Sequence, residues 1–187
     1  MNIPNALTVF RIALIPVLVI VFYLPFSQWT GIACAVLFTT AAITDWFDGY
    51  LARKLDQSTP FGAFLDPVAD KLMVAVALVL LLERHPNIWF TVPAMIIIGR
   101  EIVISALREW MAELGKRTSV AVSYVGKFKT TMQMIAIIVL LADISLQLPV
   151  IHVLGITSLY IAAVLTVWSM VIYLMAAWPD FRGAMGE

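Results

Sequence analysis

Charged residues are scarce in this chain. Lys, Arg, Asp and Glu make up 13% of the 187 residues, whereas soluble domains carry about 25%. Hydrophobic residues make up 62%, and the mean hydropathy is +0.96. A water-soluble globule of this size could not bury so much apolar surface, because its surface is too large for its volume. The composition therefore excludes a soluble enzyme, a nucleic-acid-binding protein and a disordered chain, and it indicates an integral membrane protein.

Cysteine and histidine are also rare. The single cysteine, Cys34, excludes an internal disulfide and a cysteine-based metal site, and we expect it to be a small apolar residue inside a helix. The two histidines, His85 and His152, fall near the outer ends of apolar stretches. We expect them to lie far from the charged residues and from each other, without a role as ligands.

Six apolar stretches are long enough to cross a membrane, at about 20 residues per helical span. Proline, glycine and asparagine separate them, and no polar linker divides the chain. The runs are continuous rather than alternating, which is not the pattern of membrane strands. We therefore predict one all-α membrane domain over residues 1–187 with six transmembrane helices. Their approximate bounds are 7–24, 31–51, 61–82, 89–111, 130–148 and 150–178.

Basic residues collect at one end of these predicted spans. Of the 12 Lys and Arg residues, only Arg84 falls at the other end. The remaining ones are Arg11, Arg53, Lys54, Lys71, Arg100, Arg108, Lys116, Arg117, Lys127, Lys129 and Arg182. Six spans place both termini at this basic end, so the positive-inside rule predicts that both termini are cytoplasmic.

Four aspartates fall within the second and third predicted spans, where ionisable groups are costly and indicate function. Asp45 and Asp48 are three residues apart, so they share one face of a helix. Asp66 and Asp70 are four apart and also share a face. Thr59 and the proline after it are typical of a helix start. Two antiparallel helices joined by a short loop would bring the four carboxylates together.

Four neighbouring carboxylates cannot all stay ionised without counter-charge. One interpretation pairs them with Arg53, Lys71 and Arg100 in a structural network. Two divalent cations would neutralise the negative charge of the carboxylates better, because oxygen ligands suit hard ions such as Mg²⁺ or Mn²⁺. Two such ions about 4 Å apart can clamp an in-line displacement at phosphorus. The small residues beside the carboxylates leave room for a nucleotide diphosphate; they are Gly49, Ala52 and Gly62.

The pattern D-x2-D-G-x2-A-R-x8-G-x3-D-x3-D resembles the signature of the CDP-alcohol phosphotransferase family. It is filled by Asp45, Asp48, Gly49, Ala52, Arg53, Gly62, Asp66 and Asp70. Further segments, among them 2–11 and 100–117, extend the resemblance over almost the whole chain, to bacterial members of the family. The resemblance is weakest between Leu141 and Gly155.

The resemblance implies an activity and a setting. It implies transfer of a phosphatidyl group from CDP-diacylglycerol to the 1-hydroxyl of sn-glycerol 3-phosphate, with release of CMP. It also implies six transmembrane helices in the bacterial inner membrane and a polar pocket open to the cytoplasm. The expected partners are the two substrates, membrane lipids and a second copy of the chain in a homodimer.

The resemblance also implies roles for individual residues. Asp45, Asp48 and Asp66 bind metal, and Asp70 binds metal and acts as the general base. The positions matched to binding of CDP-diacylglycerol are Thr8, Arg11, Gly49, Ala52, Arg53, Thr59 and Gly62. Thr8, like Asn5, has a second interpretation as a helix cap.

A phosphorylated acceptor requires positive charge beyond the metals. We assign Arg100, Arg108 and Lys127 to glycerol 3-phosphate, because Arg–phosphate pairs are strong and geometrically selective. The alternative is that these charges meet anionic lipid headgroups. That interpretation is favoured for Lys116, Arg117 and Lys129, and the role of Lys129 stays open. Glu101 is expected to pair with a neighbouring arginine.

Two alternative functions stay open from the residues alone. A transferase of the same family could use another phosphorylated alcohol, such as inositol phosphate. From a different class, the aspartates could form the cation site of an ion-coupled transporter. The chain shows no inverted repeat, and the aspartates sit towards one side rather than at the midplane, which favours the enzyme.

Overall fold

A computed structural model describes residues 3–25, 28–55, 59–113 and 124–185. Side chains at positions 3–4, 48–53, 55, 63, 124–127 and 179–185 lie outside this description. The described residues form six helices and no strand, which confirms the predicted all-α class. The helices are α1 (Ile3–Tyr23), α2 (Thr30–Leu55), α3 (Pro60–Arg84), α4 (Ile88–Glu113), α5 (Tyr124–Leu146) and α6 (Pro149–Met185).

The helices begin where the sequence supplies capping residues. Thr59 caps α3, since its hydroxyl accepts a hydrogen bond from the Gly62 N–H at 3.0 Å, and Pro60 occupies the first turn. Asn87 caps α4 in the same way, accepting from the Phe90 N–H at 3.0 Å. The start of α5 and the end of α6 differ from the predicted spans, because a helix continues past its apolar residues into the polar interface.

Five helices in the described part of the chain are long and apolar enough to cross a membrane: α1, α2, α4, α5 and α6. The chain is therefore a multi-pass membrane protein. Helix α3 has sufficient length, at 25 residues, but its first half carries Asp66, Asp70 and Lys71. Its crossing of the bilayer remains a prediction.

Helix α2 and helix α5 pack backbone to backbone near the start of α2. A Cβ atom added to Gly31 would lie 2.4 Å from the carbonyl oxygen of Leu141 and 2.8 Å from the backbone nitrogen of Ser145. The Ser145 hydroxyl accepts hydrogen bonds from the N–H groups of Gly31, at 2.8 Å, and Ile32, at 3.3 Å. Helix α5 thus satisfies N–H groups that the first turn of α2 would otherwise leave unpaired.

Helix α6 supports α4 through a separate apolar cluster. Ile104, Leu107 and Met111 of α4 pack against Tyr173 and Ala177 of α6. The main core lies elsewhere, between α1, α2, α3, α5 and the first halves of α4 and α6. The α4–α6 cluster therefore fixes the half of α4 that carries the predicted acceptor residues.

Candidate functional site

Three predicted metal ligands gather around one buried arginine. Nη1 of Arg11, on α1, forms an ion pair with Oδ1 of Asp45 and lies 3.3 Å from Oδ1 of Asp66. Arg11 is 1% exposed, whereas the side chains of Asp45 and Asp66 are 37% and 44% exposed. The third ligand, Asp70, borders a small cavity together with Arg11 and Asp45. Arg11 thus supplies positive charge from the interior and leaves part of each carboxylate accessible.

The basic residue that pairs with the aspartates is not one of those in the structural network considered above. That network used Arg53, Lys71 and Arg100, but the described ion pairs of the aspartates come from Arg11. Arg100 instead lies 3.3 Å from the carboxylate of Glu101. The spacing along α2 and α3 gave no information on Arg11, because α1 joins the site through tertiary packing. The side chains of Asp48 and Arg53 lie outside the described residues.

The donor set at the aspartates suits a hard divalent cation. Its described members are carboxylates, which are preferred ligands of Mg²⁺ and Mn²⁺. The side chains of Asp45 and Asp66 keep exposed fractions of 37% and 44% beside Arg11, so both carboxylates can also be reached by a cation. The residues present therefore fit the metal that the family resemblance implies.

A second cavity, of about 270 Å³, lies beside Asp70. Helix α4 contributes Arg100 and Arg108 to its lining, and α6 contributes Tyr173. Two of the three predicted acceptor residues therefore share a cavity with the predicted general base. The side chain of the third, Lys127, lies outside the described residues.

Polar residues of α6 position both arginines. Nη2 of Arg100 donates to the Ser169 hydroxyl at 3.1 Å, and Nη2 of Arg108 donates to the Tyr173 hydroxyl at 3.3 Å. The Tyr173 ring also lies against both guanidinium groups, with its centroid 5.5 Å from Cζ of Arg100 and 5.4 Å from Cζ of Arg108. Neither Ser169 nor Tyr173 was predicted from the sequence. Their spacing of four residues on an apolar helix was the available signal, because it places them on one face.

Lys129 belongs to this cavity rather than to the membrane surface. It is 4% exposed, and its Nζ pairs with the carboxylate of Glu101. The headgroup interpretation of Lys129 is therefore wrong. Helix α5 begins before Lys129 and directs this residue towards α4, whereas the predicted span began after it. The expected pairing of Glu101 with an arginine is confirmed by its contact with Arg100.

Residues near the start of α1 contact the start of α3. Nδ2 of Asn5 donates to Oγ1 of Thr59 at 2.9 Å, and a Cβ added to Gly62 would lie 2.5 Å from Oδ1 of Asn5. Asn5 and the buried Thr8 both lie inside α1, so the interpretation of either as its cap is wrong. The side chain of Ala52, like the environment of Gly49, lies outside the described residues.

The expectation that the two histidines lie far apart is also wrong. The ring centroids of His85 and His152 are 5.3 Å apart, and Nδ1 of His152 lies 2.8 Å from Oδ2 of Asp143. This cluster is at the opposite end of the helices from the aspartates. The sequence indicated the depth of each histidine, but not that the end of α3 and the start of α6 are neighbours.

Comparison with known proteins identifies the family of the chain. The family model described as CDP-alcohol phosphatidyltransferase matches residues 1–176. Proteins named CDP-diacylglycerol–glycerol-3-phosphate 3-phosphatidyltransferase from Pectobacterium atrosepticum, Sodalis glossinidius and Salmonella choleraesuis are 60%, 58% and 59% identical to the chain. Each alignment covers 96% of this chain and 96% or 97% of the relative. A match of this extent takes in every helix that contributes to the two cavities, and the chain belongs to the CDP-alcohol phosphatidyltransferase family.

Proposed function

We propose that this protein transfers the phosphatidyl group of CDP-diacylglycerol to sn-glycerol 3-phosphate, giving phosphatidylglycerophosphate and CMP. One observation carries the assignment of the acceptor: Asp70 shares a cavity with Arg100 and Arg108. A carboxylate that can accept a proton thus lies beside two guanidinium groups that can bind a phosphate dianion. The names of the bacterial relatives give the same donor and acceptor for those proteins.

The residues that line the cavity have separate roles in the proposed reaction. Arg100 and Arg108 bind the phosphate of the acceptor and so orient its 1-hydroxyl towards Asp70. Asp70 takes the hydroxyl proton as the oxygen attacks the phosphorus attached to diacylglycerol. The new phosphorus–oxygen bond forms as the bond from that phosphorus to CMP breaks, and CMP leaves with the electron pair.

We assign two divalent cations, Mg²⁺ or Mn²⁺, to Asp45, Asp48, Asp66 and Asp70. When bound, they polarise the diphosphate and stabilise the negative charge on the departing CMP. The all-carboxylate donor set and the partial exposure of Asp45 and Asp66 support this assignment. Arg11 keeps Asp45 and Asp66 close together from the buried side.

The proposed setting is the bacterial inner membrane, with the aspartates towards the cytoplasm. The one-sided distribution of basic residues supports this orientation. The orientation requires α3 to cross the membrane in addition to the other five helices. We also propose that the protein is a homodimer, on the basis of the family resemblance. For CDP-diacylglycerol we retain the positions matched by the family pattern; they are Thr8, Arg11, Gly49, Ala52, Arg53, Thr59 and Gly62. Lys127 remains a proposed contact of the acceptor phosphate.

A comparison of acceptors tests the proposed function. Purified protein with CDP-diacylglycerol and Mg²⁺ is expected to release CMP with sn-glycerol 3-phosphate, and much more slowly with inositol phosphate or free glycerol. Faster release with inositol phosphate would assign a different acceptor. Metal-driven uptake into vesicles without release of CMP would indicate a transporter instead.

A further inference from the structure

Both histidines of the chain meet one aspartate at the end of the bundle opposite to the proposed active site. His85 is the C-terminal cap of α3, Asp143 lies in the last turn of α5, and His152 lies in the first turn of α6. One ligand atom from each residue can be chosen so that all three lie within 4.8 Å of one another. Along α3, Asp70 and His85 are separated by about 22 Å at 1.5 Å per residue, so the two sites are distinct.

The turn between α5 and α6 builds half of this cluster. Gln147 adopts a positive φ of 49°, and its N–H donates to the carbonyl oxygen of Asp143 at 2.9 Å. The chain therefore reverses direction within a few residues, and His152 returns to within 2.8 Å of Asp143. His85 reaches the same point from a different part of the chain.

Two polar atoms of the cluster are buried without a hydrogen-bond partner in the described structure: Nε2 of His85 and Oδ1 of Asp143. Asp143 is 7% exposed, so its free oxygen is withdrawn from water. A simple Asp–His hydrogen bond would use His152 alone and would leave both atoms unexplained. An unpaired buried polar atom is unfavourable, and a bound ligand would supply the missing partner.

The geometry points to a binding site for a transition-metal dication of the Zn²⁺ class, held by His85, Asp143 and His152. Imidazole nitrogen and carboxylate oxygen are ligands of Zn²⁺, and three protein ligands with one open position form a common Zn²⁺ site. Tetrahedral coordination places ligand atoms roughly 3.3 Å apart, so small side-chain rotations suffice to close the cluster around an ion. Mg²⁺, which prefers oxygen ligands, is not expected to compete.

The surroundings hold the ring of His85 in place. The ring of Phe90 packs against it, with centroids 5.3 Å apart. A neutral imidazole offers a nitrogen lone pair to a metal. Arg84 also lines the adjacent cavity, but its guanidinium lies over the ring of Phe22, 5.1 Å from the centroid.

Ring-nitrogen NMR tests the site directly, because the chain has only two histidines. Protein without a polyhistidine tag is labelled with ¹⁵N-histidine and titrated with Zn²⁺ while saturating Mg²⁺ occupies oxygen-only sites. We expect one nitrogen of each ring to shift together, with an endpoint at one equivalent of Zn²⁺. A response of His152 alone, or of neither ring, would show an Asp–His hydrogen bond only and would overturn the proposal.

Variants separate a shared site from two independent ones. His85→Gln is expected to weaken the response of His152 to Zn²⁺ at least about tenfold, and His152→Gln that of His85. Unchanged Zn²⁺ affinity of the remaining histidine in both variants would contradict the site. Glu83→Gln is the matched control: it removes a carboxylate from the same end of α3, where Glu83 bonds to Tyr23, and should leave Zn²⁺ affinity unaltered.

A stability measurement gives a second readout that does not use the histidine spectrum. The metal would join the ends of α3, α5 and α6, so Zn²⁺ at about 100 times its dissociation constant should raise Tm by about 5 °C. Asp143→Asn should remove most of this rise, whereas Glu83→Gln should retain it. A rise of equal size in Asp143→Asn would place the stabilising ion elsewhere and would contradict the proposal.

Discussion

Arg11 holds two carboxylates of the proposed active site from the buried side. Replacing it with Met leaves Asp45 and Asp66 beside each other without that positive charge. We expect Arg11→Met to lower the free energy of unfolding by about 2 kcal/mol when divalent cations are chelated. Millimolar Mg²⁺ should recover part of the loss, because a cation can replace the missing charge. The check is Tm of the purified protein in EDTA and in Mg²⁺.

Arg84→Met serves as the control for this comparison. It removes the same charge at the other end of α3, where the guanidinium lies over Phe22. Its Tm should therefore show no recovery with Mg²⁺ beyond that of the unmodified protein. If Arg11→Met were equally destabilised in EDTA and in Mg²⁺, the role of Arg11 would be packing rather than charge compensation.

Asp70 is the residue on which the proposed proton transfer depends. Asp70→Asn keeps the shape of the side chain but removes its ability to accept a proton, so turnover should fall about 10²- to 10⁴-fold. The measurement is the rate of CMP release at saturating substrates. Glu83→Gln, on the same helix but distant from the cavity, should keep its rate. Normal turnover by Asp70→Asn would remove the general base from the mechanism.

Arg108 should act on the acceptor rather than on the lipid donor. We expect Arg108→Ala to raise the KM for glycerol 3-phosphate about 10- to 100-fold, since a charge-assisted hydrogen bond contributes about 1.5–3 kcal/mol. The KM for CDP-diacylglycerol should change little. Tyr173→Phe, which keeps the ring but removes the hydroxyl bonded to Arg108, should have a smaller effect. A change confined to the KM for CDP-diacylglycerol would show that the acceptor pocket is misplaced.

At the scale of elements, the contact between α2 and α5 depends on the absence of one side chain. A Cβ at Gly31 would meet backbone atoms of α5, which cannot rotate away. Gly31→Ala should therefore destabilise the protein by about 1–3 kcal/mol through overpacking.

Gly99→Ala provides the matched control for Gly31→Ala, because a Cβ at Gly99 would have no neighbour within 4 Å. This change should be neutral or should stabilise α4 by up to about 1 kcal/mol, since alanine favours the helix over glycine. The two Tm values are compared in the same detergent. Equal destabilisation by both changes would indicate that helix propensity, and not the α2–α5 approach, decides the outcome.

At the scale of the whole molecule, the orientation in the membrane can be tested with cysteine labelling. Cys34 is fully buried and should not react. In spheroplasts, a membrane-impermeant maleimide should label Gln28→Cys, between α1 and α2. It should label Lys54→Cys, at the other end of α2, only after the membrane is permeabilised. The reverse result would place the aspartates on the outer side and contradict the proposed cytoplasmic site.

The sequence was informative about the position of each residue along the membrane normal and about which residues share one face of a helix. Long apolar runs predicted six helices, and the spacing of Asp66 and Asp70 predicted their common face. It could not predict which distant helices touch. Arg11 of α1 contacts Asp45 of α2 and Asp66 of α3. The ring of Tyr173 contacts both Arg100 and Arg108. His85 contacts His152. These contacts depend on the rotation of each helix about its axis, and a nearly uniform apolar surface does not determine that rotation.

The charges of α3 also bear on how the chain enters the membrane during synthesis. A single Asp or Lys at the centre of an isolated spanning helix costs about 2.5–3.5 kcal/mol to insert, and α3 carries three such residues in its first half. Its Asp66 pairs with Arg11 of α1, a helix that is synthesised before α3. The partner charge is therefore already in the membrane when α3 is made, so α3 can be inserted against α1 rather than alone in lipid.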